Sequence, residues 1–179
     1  MQPQISDASS QSGFQPIDAL RVLGHSGLFD AAYYLGCNPD LAGLGSEALA
    51  HYHRYGWREG RRPNLYFDPT WYRAQYPEVA AAEVDPLLHY INAGEAQGFR
   101  PVAWFNPVWY AQTHKPPSGM LALRHYLLHR QGGGVSAMPE FDPGFYLRSY
   151  PDVAAAGLDP LEHYMVQGFR EARRPFGIM

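Results

Sequence analysis

The sequence predicts an all-α protein of stacked short-helix repeats, about four units in a solenoid-like or compact array. Three observations predict it. Phe recurs at 29, 67, 105 and 141, each time opening a similar phrase: FDAAYY, FDPTWY, FNPVWY and FDPGFY. A His-Tyr pair follows each phrase: His51-Tyr52, His89-Tyr90, His125-Tyr126 and His163-Tyr164. Its offset from the Phe is identical in three units and slightly shorter in the third. A Pro-acid-apolar-Ala step recurs at 39, 77 and 151, and Arg-Pro at 62–63, 100–101 and 174–175 keeps a constant offset from the His. Self-similarity at a near-fixed period is the signature of a repeat architecture.

Taken in order, residues 1–15 are polar and Ser/Gln-rich and read as a disordered or docking tail. Residues 16–28 read as an N-terminal capping helix, and the four-repeat array of 29–179 divides into 29–66, 67–104, 105–140 and 141–179. Inside a unit, the Asp or Asn after the Phe is a natural N-cap and the following Pro a natural first helical residue. That helix should stop before the next Pro, because the residue ahead of a proline avoids the α region. Pro77 and Pro151 then open a second short helix, and Asp85-Pro86 and Asp159-Pro160 open a third. Leu87, Tyr90 and Ile91, and likewise Leu161, Tyr164 and Met165, share one face of it. Gly94 and Gly168 are expected to stop it.

Helices of two turns are unstable alone, so each must bury its apolar face on its neighbours. Of 26 aromatic residues, 16 fall at four recurrent positions, which suggests an inter-repeat core. Tyr90 and Tyr164 should both be buried with bonded hydroxyls. The third unit departs from the pattern, with Lys115-Pro116-Pro117 at the Pro-acid step and Gly132-Gly133-Gly134 in the closing turn. The chain reaches Phe176 without a polar capping helix, so that end is expected to be covered by a partner.

Composition excludes several classes. With 14 Lys+Arg against 17 Asp+Glu, the net charge of -3 gives no footprint for nucleic acid or for an anionic membrane. No apolar run approaches a membrane span, and the N-terminus lacks the basic start and apolar stretch of a secretory signal. Cytoplasmic synthesis is expected, with an exported or released assembly open as a destination. The single cysteine, Cys37, excludes an intrachain disulfide and a cysteine-based zinc site.

Ser26–Leu35, Asn38–Ala42, Gly56–Pro63 and Asp159–Tyr164 carry a resemblance that extends over residues 26–176. The pattern resembles a bacterial helical repeat of the form SGLFD-x-x-YYL-x-x-NPDVA followed by DPL-x-HY-x-x-x-G-x-x-EGR-x-P. Such repeats are found attached to glycosyltransferases and to surface or polysaccharide-associated proteins. The resemblance implies a cell-surface carbohydrate context and brings no catalytic residue.

The residues that could carry chemistry have structural readings as well. The four recurrent histidines lie about a repeat apart, too far to share a metal, and are expected to bond backbone groups between helices. His125 and His129 share a helix face but have no evident third ligand, so neither metal nor cofactor is expected. The recurrent aspartates read as N-caps rather than as paired glycosidase carboxylates, and Gly-x-Ser-x-Gly is absent. No catalytic residue, and no enzyme, is expected. The turns at 58–62 and 170–174 are Arg-rich. Their guanidiniums either cap carbonyls and pair with a nearby Asp, or hold acidic sugars through paired donors. Trp57 and Trp104 either pack on the adjacent helix or stack on sugar rings.

The candidate ligand-binding residues are therefore Trp57, Arg58, Arg61, Trp104, Arg170 and Arg173. The expected function is a non-enzymatic module that binds an anionic or neutral bacterial surface polysaccharide, or presents an adhesive surface. One alternative is a structural interaction protein, anchored through residues 1–15 or the C-terminal end to a larger assembly such as a phage-like particle, as head spike or adaptor. The other is an accessory subunit of a glycosyltransferase system.

Overall fold

The computed structural model describes residues 16–177, so the expected tail at 1–15 lies outside the described residues. Eleven short α-helices carry the described residues. Helix α1 (Pro16–Ser26) precedes the repeats. Unit 1 holds α2 (Ala31–Cys37) and α3 (Ala48–His51), unit 2 holds α4 (Pro69–Gln75), α5 (Pro77–Ala81) and α6 (Pro86–His89). Unit 3 holds α7 (Pro107–His114) and α8 (Ala122–His129), unit 4 holds α9 (Pro143–Ser149), α10 (Pro151–Ala155) and α11 (Pro160–His163). In unit 1 the second helix shrinks to a 3-10 turn, Pro39–Leu41. Unit 3 has none, because Pro116-Pro117 interrupts it and Lys115 ends α7 in a left-handed conformation at φ 49°. Among the described residues, extended pairing is limited to the single bridges Asn64–Phe67 and Val102–Phe105.

The caps form as the sequence predicts. Asp30, Asp68, Asn106 and Asp142 accept from backbone N–H groups of the first turns of α2, α4, α7 and α9. Asp85 and Asp159 do the same for α6 and α11. Units 1, 2 and 4 are each closed on themselves. The backbone N–H of Asp30, Asp68 and Asp142 donates to the carbonyl of Pro63, Pro101 and Pro175, at 3.0, 3.1 and 2.9 Å.

Two expectations about packing are corrected. The recurrent aromatics cluster mainly inside each unit, not between units. Phe67, Tyr72 and Tyr90 meet with ring centroids 5.3–6.0 Å apart, and Phe29, Tyr34 and Tyr52 repeat the arrangement. The recurrent histidines bond side chains rather than backbone. The hydroxyls of Tyr34, Tyr72, Tyr110 and Tyr146 pair with Nδ1 of His51, His89, His125 and His163 at 2.7–3.0 Å.

The glycine after each His-Tyr pair follows from this bond. The third helix ends at Gly94, as the last residue of a π turn, Tyr90–Gly94, and Tyr52–Gly56 and Tyr164–Gly168 are its counterparts. A methyl group at Gly56, Gly94 or Gly168 would overlap the hydroxyl of Tyr34, Tyr72 or Tyr146. The left-handed residue that ends the turn comes later, at Gly60, Gly98 and Ala172. Unit 3 lacks this glycine, and α8 runs on without a π turn.

Between units, the third helix of one meets the opening of the third helix of the next. His53 Nδ1 pairs with Asp85 at 2.9 Å. Glu95 accepts from the backbone N–H of Ala122 at 2.5 Å and of Leu123 at 3.2 Å, and from the Tyr90 hydroxyl at 2.6 Å. It thereby caps α8, whose own N-cap position is Leu121. Arg130 Nε lies 2.8 Å from Asp159, an ion pair outside hydrogen-bond geometry. The array is also wound tightly. Tyr126 donates to the Tyr66 hydroxyl at 3.0 Å, and Tyr66 donates to Asp159 at 2.8 Å, so units 1, 3 and 4 share one buried chain of bonds. Helix α1 packs on both α3 and α6 and covers the head of the array. No helix among the described residues is long and apolar enough to cross a membrane.

Candidate functional site

The Arg-rich turns divide into two kinds of arginine. Arg61 reaches across its unit to Asp40 with two parallel bonds of 2.9 and 2.8 Å, to Asn38 at 2.9 Å and to Glu59 at 2.5 Å. Arg173 repeats the clasp on Asp152 at 3.0 and 2.8 Å, with Glu171 at 2.6 Å. Each guanidinium holds its aspartate carboxyl below the usual range. Unit 2 replaces the clasp with Phe99, stacked on Tyr76 at 3.9 Å and 6°. Arg61 and Arg173 are thus engaged within their own units. Their paired donors are taken, which corrects the expectation that they face a ligand. Arg62 likewise pairs with Asp68, the N-cap of the next unit.

Arg58 is different. It is exposed, and its guanidinium lies over the Trp57 ring at 4.0 Å while Nη1 donates to the Arg54 carbonyl at 2.9 Å. Trp57 itself is only 3% exposed, and its indole N–H donates to the His53 carbonyl at 3.0 Å. It is chiefly a packing residue, held by Arg58 and by Arg73, whose guanidinium stands 5.3 Å from the ring centre. The open ring nearby is Tyr55, 56% exposed. Tyr55, Trp57 and Arg58 line a groove of about 750 Å³ between α1, the π turn of unit 1 and the opening of α6. Leu20, Val84 and Leu88 give it apolar walls, Arg54 and Arg58 its positive charge, and Glu83 a carboxylate.

Glu83 holds an unusual backbone conformation. All four units have a left-handed residue ahead of the third helix. It is glycine in three of them (Gly45, Gly119 and Gly157, at φ 51°, 80° and 62°) and Glu83, at φ 52°, in unit 2. A non-glycine residue in that region is strained, and such strain gathers at functional sites.

Trp104 lies elsewhere. It is half-buried, its indole nitrogen is covered and unpartnered, and it lines a smaller notch of about 370 Å³ with Arg100, Trp109 and Glu140. Arg170 is exposed at the far end of unit 4. Of the six sequence candidates, the structure therefore brings Trp57 and Arg58 into one groove and sets Trp104 in another. The sequence reading missed Arg54, Tyr55 and Glu83. Glu83 was findable by laying the units over one another, because a carboxylate stands where its equivalents are glycine. Arg54 and Tyr55 carry no such signal, since their importance comes from the α1 wall opposite.

The Tyr-His pairs do not make a nucleophile. Burial pushes the hydroxyls of Tyr34 and Tyr146 up to about 12 and those of Tyr72 and Tyr110 higher, so they are protonated donors at neutral pH. Burial also lowers His89 and His125, which favours the neutral ring. His125 and His129 stack at 4.4 Å, and His129 Nδ1 is occupied by the His125 carbonyl. Among the described residues no group of three or more His, Cys, Asp or Glu is placed to hold a metal. No family model, curated protein or solved structure matches the chain.

Proposed function

We propose that the chain is a non-enzymatic helical repeat module that binds an anionic surface polysaccharide in the groove beside α1. The observation that carries this reading is the composition and placement of that groove. Two exposed guanidiniums, Arg54 and Arg58, stand next to the open ring of Tyr55 over an apolar floor. A sugar carboxylate or sulfate suits paired guanidinium donors, and a pyranose face suits a phenol ring. Glu83 supplies an acceptor for sugar hydroxyls on the opposite wall. The resemblance to repeats of polysaccharide-associated proteins agrees with this reading.

The test is retention of the full chain on alginate, a uronic-acid polymer, compared with neutral dextran, by affinity electrophoresis and calorimetry. Arg54→Ala with Arg58→Ala should weaken alginate binding at least tenfold and flatten its salt dependence, because exposed charge pairs are screened. Tyr55→Ala should weaken binding with the salt dependence kept. Arg170→Ala should change nothing. Undiminished alginate binding by a folded Arg54→Ala/Arg58→Ala protein, or no binding by the parent chain, would sink the proposal.

A further inference from the structure

The third helices of units 1 to 3 each offer a residue to the opening of the next unit's third helix, just after the His-Tyr helix turns. Trp57 stands at that place in unit 1, lining one groove with Val84, Asp85 and Leu88. Glu95 does so in unit 2, on the backbone of Ala122 and Leu123, and Arg130 in unit 3, on Asp159. The equivalent in unit 4 is Phe169, which is 72% exposed. The neighbours agree. Tyr52, Tyr90 and Tyr126 are buried, whereas Tyr164 is half-buried. His53 bonds Asp85, whereas its counterpart Met165 is 38% exposed. This corrects the expectation that Tyr164 is buried like Tyr90. The head of the array is covered by α1, whereas among the described residues the face of unit 4 that matches an interface formed three times earlier is left uncovered.

The winding extends the same face. Unit 3's third helix lies against Gly27 and Leu28, ahead of unit 1's Phe29, and unit 4's Asp159 lies against Tyr66, ahead of Phe67. A fifth third-helix would lie against Trp104, ahead of Phe105. That is where the notch of Trp104 and Trp109 sits, and the Trp104 indole N–H, counterpart of the Tyr66 hydroxyl, has no acceptor among the described residues. A buried donor without a partner is costly, and an incoming carboxylate relieves it.

We propose that Phe169, Tyr164, Met165 and Trp104 form a docking seat for one further unit of the same repeat, which opens its third helix with an apolar-Asp-Pro-Leu segment. The apolar character of Phe169 and Met165 selects an opening like Val84-Asp85-Pro86-Leu87, which in unit 1 shares a groove with Trp57 and bonds His53. A second copy of this chain does not supply it, because Asp85 and Asp159 are already buried inside their own array.

The test appends a copy of residues 66–101 after Pro175 of the full chain and follows thermal unfolding and amide exchange. The added unit should become protected, and the melting midpoint should rise by about 5 °C. Phe169→Ser, or Ala in place of the added unit's copy of Asp85, should abolish both gains while the original four units melt as before. An added unit that exchanges freely beside four folded ones overturns the proposal, as does a gain that survives Phe169→Ser. Sedimentation of the unmodified chain tests the other occupant: a dimer that Phe169→Ser dissolves would assign this face to a second copy and overturn the proposal too.

Discussion

A single methyl group separates a tolerated from a disrupted unit. Gly94 lies so close to the Tyr72 hydroxyl that alanine there must push the ring off His89. Gly94→Ala should destabilise the fold by about 1–3 kcal/mol, the usual cost of overpacking. In a Tyr72→Phe background, where the obstructing oxygen is gone, most of that penalty should vanish; a penalty of equal size in both backgrounds, measured by urea unfolding, would show that the hydroxyl is not the obstacle. Glu83 argues in the opposite direction. Its left-handed backbone is strained, and glycine serves at the equivalent places in the other three units. Glu83→Gly should raise stability by up to about 1 kcal/mol and weaken alginate binding together. Stability and binding would then trade against each other at one residue.

The clasps across units 1 and 4 show how much of the helical scaffold was legible beforehand. Caps, proline starts and the repeat period were readable because they depend on neighbours in sequence. The second role of Gly94 was not, because it depends on the hydroxyl of Tyr72, which α4 contributes from far upstream; a glycine near a helix end reads as a stop signal alone. The same holds for Arg61 and Arg173. An exposed-looking arginine cluster reads alike as ligand site or brace until Asp40 and Asp152 are seen to fold back onto it. The equivalence of clasp and ring stack is itself testable. Unit 2 already holds Tyr76 and Glu78 where unit 4 holds Tyr150 and Asp152, so Phe99→Arg rebuilds the unit 4 arrangement. It should cost less than about 1 kcal/mol, on the scale of an exposed ion pair, whereas Phe99→Ala should cost about 2 kcal/mol or more. Equal losses for the two variants in thermal melts would mean that the positions are not interchangeable.

Across the entire array the neutral imidazoles add up. His89, His114 and His125 are all lowered by burial, so the unfolded chain takes up protons on them before the folded one does. Stability should hold above about pH 6.5 and decline as the pH falls through that value, levelling once the folded rings also protonate. The carboxyls of Glu95 and Glu162, raised by burial, act in the opposite sense and blunt the decline. Melting midpoints between pH 7.5 and 5.5 should therefore fall, and His89→Gln should fall less steeply than the parent; a parallel slope would remove His89 from the account. The closure of the units has a mechanical side as well. Residues 30 and 63, 68 and 101, and 142 and 175 are joined by one backbone bond apiece around their own aromatic knot. Under tension along the chain, such a protein yields link by link, each opened closure releasing roughly 110 Å of slack at the reach of an extended chain. An array made this way absorbs a tug by lengthening before it lets go.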